Sequence, residues 1–142
     1  HVHRAHGVAG ELELPGDGSY RMQPIAVEDA ADSVLAAIDR PAGAFPTVFD
    51  LVGPEPVTYA RLLERLAGVA GALGRPADLR LREVPIAEAD RRARAGGYMG
   101  MLPDELDCLL CDETADPAPL EALLGRKLLP LDDALAAAAR AA

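Results

Sequence analysis

The chain has 142 residues, enough for one ordinary domain burying about two-thirds of its unfolded surface. Half of it is hydrophobic and 26% is charged, which argues against disorder, while aromatics reach only 4% with no Trp, so Ala, Leu and Val must build the core. The net charge of −9, with Lys127 the single lysine, argues against a nucleic-acid surface, and no apolar run approaches the roughly 20 residues that span a bilayer.

Residues 1–10 (HVHRAHGVAG) show no period and read as a flexible tail or a truncation end, without the basic-then-apolar pattern of a signal peptide. Their three histidines within six residues could bind a metal weakly, whereas a built site needs convergent ligands and outer support. Glu11–Leu14 reads as a brief strand, followed by a Pro15–Ser19 turn. Pro24–Val27 is expected to be a short buried strand entering a helix at Glu28. In that helix Ala31, Val34, Leu35 and Ile38 share one apolar face, and Glu28, Asp29 and Asp32 complement the helix dipole. Pro41 and Gly43 end it.

Thr47–Val52 (TVFDLV) is expected to be a second buried strand, stopped by Gly53-Pro54-Glu55-Pro56. Thr58 is then a natural N-cap for a helix carrying Leu62, Leu63, Leu66, Val69, Ala70 and Leu73, with Gly74 at its end. Leu79–Val84 alternates apolar and charged residues, as a half-exposed strand does. Helices follow at 86–95, 103–110, 117–124 (capped by Asp116, closed by Gly125) and from Leu131 onward, with a glycine-rich break at 96–100. The expected fold is mixed α/β, a small sheet of short strands with packed helices and no internal repeat.

The chemistry-bearing residues are sparse. Arg91, Arg92 and Arg94 share their segment with Glu88 and Asp90 and read as a solvated helix face. Cys108-Leu109-Leu110-Cys111 has dithiol spacing. It falls late in a short apolar helix with no strand before it, so buried structural thiols are expected, and no further Cys or His pair downstream supports zinc. Two cysteines make no disulfide framework, so the expected setting is a reducing cytoplasm. Ser19 and Ser33 are the only serines, and neither sits in a nucleophile elbow. No glycine-rich dinucleotide turn follows a strand, and Lys127 has Leu123, not Tyr, four residues before it. No catalytic residue is assigned.

Three stretches carry a resemblance. They are Leu14-Pro15-Gly16-Asp17-Gly18 through Gln23-Pro24-Ile25-Ala26-Val27-Glu28-Asp29-Ala30-Ala31, then Val48-Phe49-Asp50-Leu51-Val52-Gly53-Pro54-Glu55-Pro56-Val57-Thr58-Tyr59 through Leu63, and the tail from Leu109 to Arg126. In order and spacing they resemble the C-terminal, substrate-side part of atypical or extended short-chain dehydrogenases/reductases, of the NmrA-like and complex-I-accessory-subunit-like kind.

That resemblance implies a single substrate-side domain over residues 11–142, belonging to a Rossmann-type protein whose nucleotide-binding half lies outside these residues. NAD(P) is implied for such a parent, an oxidoreductase or epimerase, but no cofactor site in this chain. The substrate-cleft candidates are Gln23, Pro24 and Ile25, with Arg21 and Tyr98 beside them. In sugar-nucleotide-processing members an Arg just before this strand reaches a substrate phosphate, and here Met22 occupies that register. Asp29, Gly53, Pro54 and Thr58 match structural positions, with Asp29 expected to cap helix N–H groups. The implied partner is the Rossmann half or a second copy of the chain, through a dimer or larger assembly. The alternatives are a stand-alone α/β module that binds a protein or small ligand without catalysis, and a thiol redox protein.

Overall fold

The computed structural model describes residues 10–41, 43, 44, 46, 48–75 and 77–141. The expected tail, with its three histidines, lies outside these residues except for Gly10, and so does Thr47. The elements in chain order are β1 (Gly10–Pro15), β2 (Arg21–Met22), α1 (Val27–Ile38), β3 (Val57–Thr58), α2 (Tyr59–Ala72), β4 (Leu79–Val84), α3 (Ile86–Arg94), α4 (Pro103–Leu109), α5 (Ala118–Leu124) and α6 (Leu131–Ala141). The fold is mixed α/β, with six helices and two small sheets of short strands among the described residues. None of the helices is long and apolar enough to cross a membrane. The described residues divide into two compact units, one within 10–22 and 57–113, the other within 23–56 and 114–141.

In the first unit β1 and β4 pair in parallel, with Leu12 opposite Leu81 and Pro15 opposite Val84, while β2 and β3 form a two-residue antiparallel pair. The expected strand at Leu79–Val84 is present with those bounds. Its last residue, Val84, joins Ala89, Ala93, Tyr98 and Leu106 in a buried cluster flanked by Met101 and Leu110. The four-residue spacing of Ala89 and Ala93 puts both on the inner stripe of α3, which packs on α4. The Thr58 hydroxyl oxygen accepts the Arg61 N–H at 3.3 Å, as its N-cap position predicts. Gly74 closes the α2 terminus at φ +72°, which an L side chain resists.

In the second unit the two remaining expected strands are not strands. Residues 23–26 and 48–52 carry no ladder, and Val48 and Leu51 are exposed. The Gly53 N–H does donate to the Gln23 carbonyl at 3.0 Å, but Pro24 and Pro54 stand next to those residues and have no N–H with which to extend the pairing. Helix α1 runs over the predicted span, yet its orientation is reversed. Asp29 and Ser33 are buried, while Val27, Val34, Leu35 and Ile38 are exposed. The cause is polar. The Asp29 carboxylate is committed to the 126–129 segment, which turns its side of α1 inward, and the Ser33 hydroxyl on that side is satisfied within the helix by donating to the Asp29 backbone carbonyl at 2.6 Å. Helix α5 packs on α1, and Leu120, Leu128 and Leu131 are buried.

Candidate functional site

Within the second unit, the turn from Gln23 to Glu28 is held by one side chain. Gln23 Nε2 donates to the Gly53 carbonyl at 2.8 Å, and Gln23 Oε1 accepts the Ala115 N–H at 3.0 Å. Both ends of this buried amide are thereby engaged, so Gln23 positions the turn and does not present itself to a ligand. Gly53 completes the latch, because a Cβ there would collide with the Pro24 carbonyl oxygen and lie 2.6 Å from its carbon.

The latch leaves Pro24 and Ile25 half-buried along an open groove of about 360 Å³. Leu131, Ala134 and Leu135 of α6 form the facing side, and Glu28 is the only ionisable residue in the lining among the described residues. A second groove of about 370 Å³ runs along the outer part of α1, lined by Val34, Ile38, Phe49, Leu51, Leu120 and Leu123, among others. Among the described residues both linings are mostly apolar, so both surfaces can take apolar matter.

Asp29 lies six residues after Gln23, in the first turn of α1, but it does not cap that helix. The N-cap is Ala26, without a side-chain bond. The Asp29 carboxylate instead accepts from Arg126 Nη1 at 2.5 Å and from the Leu129 N–H at 2.7 Å. Arg126 also donates from Nη2 to Asp32 at 2.7 Å, and the hydrogen bond to Asp29 leads the causes that raise the guanidinium pKa above its usual value. The sequence reading missed Arg126. Its only signal was a pair of cations directly after the helix-closing Gly125.

Arg21 and Tyr98 belong to the first unit, so the five cleft candidates do not form one cluster within either unit. The Arg21 side chain is half-exposed and bonded to Asp112, through Nε at 2.9 Å and Nη2 at 2.8 Å. The Asp112 carboxylate also accepts the Arg21 N–H at 2.7 Å, the first cause of its lowered pKa, and the Glu113 N–H returns to the Arg21 carbonyl. Tyr98 is fully buried with the Arg92 guanidinium 4.9 Å above its ring, so it is a core residue. Pro54 flanks the Gly53 latch, and Thr58 caps α2 as described. No protein-family model matches the chain, and no curated protein does.

The remaining motifs resolve locally. Gly68, Gly71 and Gly74 do have Gly-x-x-Gly-x-x-Gly spacing, but they lie in the last turns of α2 and at its end. A pyrophosphate seat requires such glycines at a helix start. The arginine run is a paired surface, with Arg92 on Glu13, Arg94 on Asp90 and Arg91 on Glu88. Among the described residues no group of three or more His, Cys, Asp or Glu could hold a metal ion. The cysteines correct an expectation, since both thiols are free and exposed. Leu106 is the buried residue of α4, and Cys108, two positions on, is turned roughly 200° from it at about 100° per residue.

Proposed function

We propose that these residues form the substrate-side region of an NAD(P)-dependent, short-chain-dehydrogenase-like oxidoreductase or epimerase in the cytoplasm. They work against a nucleotide-binding body and are not catalytic alone. The observation that carries this reading is the outward apolar face of α1, where Val27 is 80% exposed, Ile38 72% and Leu35 61%. Covering each such side chain is worth about 1.5–3 kcal/mol, so this face asks for a partner surface. A Rossmann body, or a second copy of the chain in its absence, supplies that cover.

In this reading the Pro24–Ile25 groove is one apolar wall of a ligand cleft. Gln23 and Gly53 fix its position from behind, and the nucleotide is held by the other body. Calorimetric titration of this chain with NADPH tests it. The expected result is no binding heat at micromolar concentrations, and micromolar binding by the 142 residues would overturn the assignment of the nucleotide to a separate body.

A further inference from the structure

We propose that Cys108 and Cys111 form a thiol–disulfide exchange site that reacts with small neutral or cationic disulfides and closes an internal disulfide. This inference is independent of the dehydrogenase-like reading.

The geometry of the helix end carries it. Both cysteines are free and exposed residues, placed where a small disulfide can approach the helix end. At the end of α4 the backbone tightens. The Leu110 N–H still bonds four residues back to Leu106 at 3.1 Å, but the Cys111 N–H bonds only three back, to the Cys108 carbonyl at 3.2 Å. In such an i→i+3 turn the first and last side chains eclipse, and the two Cα atoms lie within about 7 Å. A disulfide asks for Cα atoms roughly 4.4–6.8 Å apart, so the turn already supplies the separation.

The surroundings hold this turn without burying it. Leu106 anchors one side in the core, and on the other the residues after Cys111 are tied down by Asp112 and Glu113 bonding to Arg21. Closure therefore asks for side-chain rotation at Cys108 and Cys111 and no unfolding. Asp104, Glu105, Asp107 and Glu113 are exposed within five residues of the pair. With Asp112 these acids outnumber the Arg21 and Arg94 guanidinium groups beside them, and the net negative field repels anionic disulfides and attracts cationic ones, an effect that salt screens.

The exchange balances without another reactant. One cysteine thiolate attacks the small disulfide, forming a mixed disulfide and releasing one thiolate. The second cysteine thiolate attacks the protein-bound sulfur, closing the Cys108–Cys111 bond and releasing the other small thiolate. The two protons from the protein thiols end on the released thiols, so the protein is oxidised by two electrons and the small disulfide is reduced.

Native full-length chain is incubated with cystamine or with glutathione disulfide and read by intact mass. The expected product has lost two hydrogens and carries no adduct. Cys108→Ser and Cys111→Ser each stop at a single mixed adduct, which shows that both sulfurs are needed. Cystamine should react about threefold or more faster than glutathione disulfide at low salt, with the gap narrowing in high salt. Stable adducts on both cysteines of the unsubstituted protein, or thiols unreactive in the native state, would overturn the closing site. A faster reaction with the anionic disulfide would overturn the charge preference.

Discussion

A methyl group on Gly53 has nowhere to go, because the atoms it would meet are the carbonyl oxygen and carbon of Pro24 and the Ile25 nitrogen, all backbone. No rotamer change relieves that. Gly53→Ala must push the 48–53 segment away from the turn and stretch both bonds that Gly53 makes with Gln23. We expect a loss of about 3 kcal/mol, at the upper end for forced overpacking, measured as a lower denaturant midpoint at unchanged slope. Stability within 0.5 kcal/mol of the parent would show that the latch is not rigid. Gly53 was legible in the sequence as a structural position, since glycine followed by proline marks a turn. Its actual task, admitting a backbone from 29 residues away, was not, because close approach between distant segments leaves no local pattern. Asp29 shows the same limit. An acid in a first turn reads as a dipole or cap residue, whereas its partners, Arg126 and the Leu129 N–H, are about 100 positions along the chain.

At the level of elements, helix bounds and the β4 strand were readable because caps, prolines and alternation act over a few residues. What periodicity could not decide was which face of α1 turns inward. The stripe Ala31, Val34, Leu35 and Ile38 is apolar, yet the buried positions are Asp29, whose carboxylate bonds to Arg126 and Leu129 far along the chain, and Ser33 one turn on from it. The two failed strands have a similar origin. Their residues favour extended backbone, but a ladder needs N–H groups where Pro24 and Pro54 have none. The exposed stripe makes a test possible. Leu35→Asp together with Ile38→Asp places charge on a face that already meets water, so native stability should change by less than about 0.5 kcal/mol per site. Self-association should fall sharply, read by sedimentation velocity across a concentration series. A parent chain that is already monomeric throughout that series would remove the proposal that the α1 face binds a second copy.

For the molecule as a whole, the ionisable groups set a window of stability with different causes at its two ends. The chain has three tyrosines, Tyr20, Tyr59 and Tyr98, and burial raises the phenol pKa of each above the ordinary 10.0. Tyr20 stacks on Tyr59 at 5.4 Å between ring centroids, and the Tyr20 and Tyr98 hydroxyls are buried. A raised pKa means that the folded state holds its proton more firmly than the unfolded one. The stabilisation is therefore fully present below about pH 10 and is lost as pH climbs through the folded-state values. At the acid end the order reverses. Glu13 is lowered first by its hydrogen bond with Arg92, Asp90 by Arg94, Asp112 by the Arg21 N–H and Glu121 by Lys127. Their contribution is present above the ordinary carboxylate values of 3.8 and 4.5 and fades as pH falls below them. The Arg21–Asp112 pair is exposed on both sides, while Glu13, Asp90 and Glu121 are half-buried beside exposed or half-exposed cations, so the acid loss should be gradual, with the Arg21–Asp112 part the most sensitive to salt. The alkaline loss should be abrupt, because a buried phenolate has no water to stabilise it. Absorbance titration at the phenolate band, followed alongside circular dichroism, separates the two regimes. In the native protein the phenols should ionise above pH 10 and together with loss of helical signal, whereas in urea they should titrate near 10. Three phenols titrating near 10 in a protein that stays helical would show that the tyrosines are not buried as the structure has them.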